Sequence, residues 1–151
     1  MKFISKGPKE TQKIATDLAH KIIKTEKGAV IALEGELGAG KTTFIQGFAK
    51  ALGVKEKVKS PTFVLMKKYI VPQNTKRKIQ NTFLYHLDCY RVVNEKDLKI
   101  PEIGEILGET RNIVFVEWAE RVSKIIPKKH ITVHVDHISE NERKIIITDN
   151  F

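Results

Sequence analysis

Apolar and polar positions change period along the chain in short blocks. Ile14, Ala15, Leu18, Ala19 and Ile22 recur at helical spacing, which predicts an amphipathic helix over residues 10–25 lying on a sheet. Ala29-Val30-Ile31-Ala32-Leu33 is a continuous apolar run of the length of a buried strand. A glycine-rich turn follows, then a helix from Thr42 to Leu52 that Gly53 ends. Phe63 to Val71 is strand-like, with Pro61 holding Ser60 extended. The polar stretch PQNTKRKIQN separates it from a second run, Thr82 to Leu87, so the two are predicted to pair as a long hairpin with a basic tip. Residues 94–108 predict one or two short helices broken near Pro101. Asn112 to Val116 reads as another buried strand and Ala119 to Ile126 as a helix. His130 to Ile138 and Arg143 to Thr148 are two β-rich runs joined by the turn-like SENE. Neither an internal repeat nor a low-complexity linker interrupts this order. Strands alternating with helices predict an α/β fold with a largely parallel central sheet, antiparallel strands added to it and helices on both faces.

The turn after the first buried run gives that fold a chemistry. Gly35 to Thr42 reads GELGAGKT, a phosphate-binding loop placed between a strand and a helix, so the fold expected is that of a P-loop NTPase. Gly35, Gly38 and Gly40 let successive backbone N–H groups converge on polyphosphate oxygens where a Cβ would obstruct them. Lys41 offers a charge to the β- and γ-phosphates, Thr42 a hydroxyl to Mg²⁺, and the helix behind them its positive end. The candidate nucleotide contacts are therefore Gly35, Glu36, Leu37, Gly38, Ala39, Gly40, Lys41, Thr42 and Thr43.

Length and charge narrow the setting. At 151 residues the chain is expected to form one domain spanning 1–151. No stretch reaches the ~20 apolar residues of a membrane span, and the start MKFISKGPKETQ lacks a long apolar segment, so no membrane association and a cytoplasmic location are expected. Cys89, the one cysteine, has no disulfide partner and reads as a small, partly buried residue. The net charge of +9, from 27 Lys plus Arg against 18 Asp plus Glu, favours anionic partners: nucleotide, RNA or an acidic protein face. His130, His134 and His137 do not form a metal site on a strand. At ~3.3 Å per residue the first two lie ~13 Å apart, and the third faces the other side.

A phosphate loop needs acids to organise Mg²⁺ and water at the carboxyl ends of neighbouring strands. Asp88 ends FLYHL and Glu117 ends IVFV. Either can bind Mg²⁺ while the other orients the attacking water. Asp88, Glu117 and Lys41 are the candidate catalytic residues, and Thr42, Glu117 and Asp88 the candidate metal ligands. Ser60-Pro61-Thr62 could sense Mg²⁺ and the γ-phosphate as a switch loop does. Arg91 could meet phosphate or a structural acid, and Trp118 could stack on a base or fill the core.

GELGAGKTTF, VKSPTF, HLDCYR and VEWAER occur in that order over roughly residues 10–135. In this the chain resembles the TsaE family, also called YjeE, small bacterial ATPases of tRNA threonylcarbamoyladenosine biosynthesis. The resemblance implies that Lys41 and Thr42 serve phosphate and Mg²⁺, and that Thr62 belongs to a switch-like loop. It also implies that Glu117 assists Mg²⁺, that Asp88 is a metal-linked or catalytic acid, and that Trp118 lies near the nucleotide. It implies ATP and Mg²⁺ as cofactors and a TsaB–TsaD-type complex as partner, with tRNA reached through it for modification of adenosine 37 in tRNAs reading ANN codons. Two alternatives stand beside it: a small P-loop kinase, and a nucleotide-gated RNA-binding module gripping RNA with the basic hairpin tip. Against a GTPase, NEKD at Asn94 to Asp97 has Glu95 where a guanine-reading motif needs lysine.

Overall fold

The computed structural model describes residues 1–61, 65–73, 82–93 and 100–149. Its strands are β1 (Lys2–Ser5), β2 (Ala29–Glu34), β3 (Met66–Ile70), β4 (Phe83–Asp88), β5 (Ile113–Glu117), β6 (Ile131–His137) and β7 (Arg143–Asp149). Its helices are α1 (Pro8–Lys24), α2 (Lys41–Ala51) and α3 (Ile100–Gly108), with a 3-10 helix at Ala119–Val122. All seven strands join one sheet in the order β1-β7-β6-β2-β5-β4-β3. The centre, β6-β2-β5-β4, is parallel; β3 adds antiparallel to one side, β7 and then β1 to the other. This is the α/β architecture expected from the alternation of strands and helices, with both anticipated hairpins present.

Each central strand feeds two cores because successive side chains point to opposite faces. Ile31, Leu33, Ile113, Phe115, Ile131, Val133 and Val135 face α1 and α2, whose Ala15, Leu18, Ile22, Phe44, Ile45 and Phe48 meet them. Val30, Ala32, Tyr85, Leu87, Val114 and Val116 face Ile103 and Leu107 of α3 and Ala119 and Val122 beyond β5. Helices therefore cover both faces. Phe115 is the keystone of the first core: Phe44 and Phe48 meet its ring edge-on at centroid distances of 6.4 and 4.9 Å, the arrangement aromatic quadrupoles favour.

Helices α1 and α2 approach closely because Gly47 has no side chain. A Cβ there would stand 2.5 Å from Gln12 Cα and 2.6 Å from Gln12 O, both backbone atoms that cannot swing away. Gly47→Ala gains helix propensity, about 1 kcal/mol, but overpacks the joint by about 1–3 kcal/mol. We expect net destabilisation, read as a Tm lower by about 2–6 °C in thermal unfolding; a higher Tm would show that the helices simply separate.

Several boundaries differ from expectation. β1 lies in a segment with no strand signal; it forms by pairing Lys2–Ser5 with Arg143–Ile146 of β7. Pro101 stands in the first turn of α3, where a missing N–H costs nothing, and residues 94–99, the rest of the segment expected to be helical, lie outside the described residues. The helix expected over Ala119–Ile126 is only one 3-10 turn. The strand expected from Phe63 starts at Met66, and Phe63 itself, like the hairpin tip Lys76-Arg77-Lys78 and the NEKD segment, lies outside the described residues. Cys89 is fully rather than partly buried. Burial and the neighbouring acids, Asp88 foremost, push its thiol up to about 12, which leaves it unreactive as a nucleophile at neutral pH. Among the described residues no helix is long and apolar enough to cross a membrane.

Candidate functional site

Because β4, β5, β2 and β6 are parallel, their carboxyl ends share one edge of the sheet, and the segments leaving them meet there. The phosphate loop leaves β2 at Gly35, with φ +137°. A Cβ at this position would stand 2.4 Å from the Val135 carbonyl of β6, so glycine is required by neighbouring backbone as well as by conformation. Gly40, at φ +102°, caps α2 from the left-handed region and offers no side-chain oxygen to the helix, whose first turn also holds no acid. The first N–H groups of α2 are thus left for another acceptor, the condition for binding an anion. Leu37 at the loop's apex is exposed, and Thr42 and Thr43 are half-buried at the start of α2.

Lys41 is 6% exposed and its ammonium is held within the loop. Nζ donates to the Gly35 carbonyl and, at 3.0 Å, to that of Glu36, and lies 5.0 Å from the centre of the Trp118 ring. Trp118 follows β5 in the left-handed region, φ +58° and ψ +42°. For a bulky side chain that conformation costs about 1–3 kcal/mol and recurs at functional sites. Its ring packs on Tyr90 at a 5.0 Å centroid distance, and the Arg121 guanidinium lies 5.3 and 5.4 Å from the Tyr90 and Trp118 rings and donates to the Tyr90 carbonyl. Three segments far apart in sequence, the glycine-rich loop, HLDCYR and VEWAER, thereby close around one indole.

The two acids stand side by side. Asp88 of β4 is in register with Glu117 of β5, both are buried, and Cys89 N–H donates to the Glu117 carbonyl at 3.0 Å. Asp88 Oδ1 accepts the Tyr90 N–H at 3.0 Å, and Oδ2 accepts the Ser60 hydroxyl at 3.4 Å, tying the Ser-Pro-Thr loop to this acid. Thr62 itself lies outside the described residues. Glu117 bonds His86, a fully buried residue of β4, with Nε2 2.7 Å from Oε1. Nδ1 of that ring has no partner among the described residues. His86 was not singled out in the sequence. A signal existed in a polar residue inside the apolar strand FLYHL, two positions before Asp88 and so on its face. Arg143 also went unrecognised; its Nε donates to the Ala39 carbonyl of the loop at 3.0 Å. Among the described residues no three His, Cys, Asp or Glu side chains gather as a metal cage. Magnesium seldom uses one, taking one or two carboxylates together with substrate phosphates.

Beside the loop, a cleft of about 670 Å³ opens between Gly35, Glu36, Trp118 and the exposed face of β6. His134 forms its wall, in register with Glu34 of β2. Nδ1 faces Glu34 Oε2 at 3.0 Å and Nε2 faces Asp136 Oδ1 at 2.8 Å, while Lys144 reaches the other oxygen of Asp136 at 2.9 Å. Acceptors facing both nitrogens favour the doubly protonated ring. Glu34 first and Asp136 second raise its pKa above the usual 6.5, and Lys144 then His134 lower that of Asp136. A raised histidine pKa stabilises the fold fully below about 6.5 and ceases to do so as pH rises through the folded value. The depressed Asp136 value contributes above about 3.9 and is lost as pH falls through its folded value. His134→Gln is therefore expected to destabilise the protein at pH 6 and scarcely at pH 9, measured by urea unfolding. The ring is 39% exposed, so solvent screens the effect. Equal losses at both pH values would show that the imidazolium contributes nothing.

Comparison with known proteins agrees with this layout. A profile described as "Threonylcarbamoyl adenosine biosynthesis protein TsaE" matches residues 5–145. Proteins named "tRNA threonylcarbamoyladenosine biosynthesis protein TsaE" are similar along nearly the whole chain. That of Bacillus subtilis is 35% identical, covering 98% of this chain and 85% of the relative; that of Aquifex aeolicus is 37% identical, covering 95% and 92%. That of Treponema pallidum is 30% identical, covering 97% and 99%. The crystal structure of Bacillus subtilis YdiB superposes with a TM-score of 0.75 at 32% identity, over 100% of this chain and 86% of that one. The motif order, the sheet that gathers those motifs at one edge and the extent of these similarities agree: the chain belongs to the TsaE family.

Proposed function

We propose that this protein binds and hydrolyses ATP with Mg²⁺ in the service of tRNA threonylcarbamoyladenosine biosynthesis. It acts on a TsaB–TsaD-type complex in the cytoplasm and does not itself transfer the threonylcarbamoyl group. The observation that carries this reading is the convergence of Lys41 and its loop with Asp88 and Glu117, at the ends of three adjacent parallel strands. Open N–H groups of the loop and of the first turn of α2 bind phosphate oxygens, and Lys41 turns its ammonium from the Gly35 and Glu36 carbonyls to the β- and γ-phosphates. Thr42, Asp88 and Glu117 supply the hydroxyl and carboxyl oxygens that suit a magnesium ion. When bound, that ion would supply positive charge that offsets the negative charge developing in the transition state. Asp88 and Glu117 divide between them the holding of that ion and the orienting of the attacking water. His86 fixes the Glu117 side chain, and Ser60 and the Tyr90 N–H fix Asp88.

Trp118 and Tyr90 connect nucleotide contacts to the surface, where a partner complex can read which nucleotide is held, and the chain's net charge of +9 suits a partner surface near tRNA. The test is phosphate release from ATP by this protein alone, with a TsaB–TsaD-type pair, and with that pair plus tRNA. Slow turnover alone and faster turnover with the pair support the reading. Absence of turnover in all three mixtures, or transfer of phosphate to a small acceptor in place of water, would overturn it.

A further inference from the structure

The β6–β7 turn reaches the phosphate loop by topology. β6 is parallel to β2 and ends at the same sheet edge, so the turn after it and the first residue of β7, Arg143, stand beside the loop. Alternation along β7 directs Arg143 to the face of Ile145 and Ile147, which α1 and α2 cover. Its guanidinium is committed to main-chain carbonyls. Nε donates to Ala39 at 3.0 Å, and Nη1 donates to Ser139 at 2.8 Å and Glu142 at 3.0 Å, with a longer contact of 3.4 Å to Glu140. A planar fork can hold two segments in a fixed relation, which a point charge on a flexible stem cannot.

The bond to Ala39 has a directional consequence. In a planar trans peptide the carbonyl of one residue and the N–H of the next point in opposite directions. With the Ala39 carbonyl drawn outward to Arg143, the Gly40 N–H is aimed away from Arg143. The preceding peptide unit is held in turn by Ala39 N–H donating to the Glu36 carbonyl at 3.1 Å, so Ala39 is anchored on both sides of its Cα. Gly40 needs such restraint, because glycine at φ +102° has no side chain to limit its rotation.

We infer that Arg143 is a positioning residue for the phosphate loop: by fastening the Ala39 carbonyl to the β6–β7 turn it orients the Gly40 N–H toward the β-phosphate of a nucleoside di- or triphosphate. This rests on the nucleotide reading above and adds to it a residue and a turn outside every motif that suggested it.

The experiment titrates ATP, ADP and pyrophosphate into the wild-type protein, Arg143→Ala and Arg143→Lys, and records the Tm of each without nucleotide. Arg143→Ala is expected to lose about tenfold in affinity for all three, the size of one hydrogen bond from a charged donor. Arg143→Lys keeps the charge but cannot span both segments, and is expected to recover only part of that loss. A merely structural role would lower the Tm while leaving affinity, measured well below the transition, within twofold of the wild type; that result overturns the inference. Should the alanine variant not fold, Arg143→Lys and Arg143→Gln carry the same comparison, and unchanged affinity in both overturns it equally. A wild-type protein that binds none of the three ligands refutes the nucleotide reading and this role with it; loss of the inference alone leaves wild-type binding intact.

Discussion

Lys41→Ala is expected to weaken ATP binding by about 100-fold or more, the range for removing one partner of a desolvated charge pair. The ammonium is nearly buried and is already held where its hydrogen bonds hold the loop together, to Gly35 and Glu36. Truncation removes the charge that phosphate would meet. It also leaves two loop carbonyls without their donor, so the cradle loosens as it loses its cation. Lys41→Met removes the charge and the donor together but keeps the apolar stem, so it controls for lost packing alone. The site carries its own reporter. Trp118 is the chain's one tryptophan, and Lys41 Nζ lies 5.0 Å from its ring, so intrinsic fluorescence should respond to ATP in the wild type and fail to respond in Lys41→Ala. Calorimetric titration gives the affinity directly. Binding within threefold of the wild type would remove Lys41 from the phosphate site.

The residues most legible in the sequence are those whose role depends on local order. β2 and β5 announce themselves because a strand buried on both faces reads as an unbroken apolar run, and the glycine-rich turn is recognisable because its chemistry needs glycines, lysine and threonine in succession. Asp88 and Glu117 could be chosen because parallel strands bring their carboxyl-terminal residues to one edge. Features that depend on distant pairing stayed hidden. β1 is four residues with two exposed, and becomes a strand only because β7 offers it an edge. His86 lies on the face of Asp88 by alternation, yet its partner Glu117 is 31 residues away and is fixed by the register of β4 on β5. Arg143 is 104 residues from Ala39, and nothing in NERKI marks it as part of a phosphate site. The short helix after Trp118 failed for a local reason: Pro127 restricts Ile126 and leaves too few residues for a stable α-helix between them.

Replacing either acid is expected to separate binding from turnover. Asp88→Ala and Glu117→Ala should keep ATP affinity within about tenfold while hydrolysis falls by about 100-fold or more, the contribution typical of a positioned acid or base. The reason is spatial. The groups suited to hold phosphate oxygens come from the loop after β2, whereas both acids come from β4 and β5. Alanine also disturbs structure, and unequally. Glu117→Ala deprives the fully buried His86 of its one partner among the described residues, at about 1–3 kcal/mol. Asp88→Ala removes the carboxylate that accepts from the Tyr90 N–H and the Ser60 hydroxyl. Glu117→Gln keeps an oxygen for His86 and Asp88→Asn keeps one for the Tyr90 N–H, its new NH2 facing the Ser60 hydroxyl oxygen, so both remove the charge with less disturbance than alanine. Single-turnover hydrolysis measured over a range of Mg²⁺ concentrations then divides the labour. The acid that holds the ion gives a variant whose defect shrinks as Mg²⁺ is raised. The acid that orients water gives one whose defect persists at saturation, because no concentration of ion replaces a missing proton acceptor. Wild-type rates in both isosteric variants would exclude both carboxyls from the reaction, and the buried Asp88–Glu117 pair would then be an element of the fold alone.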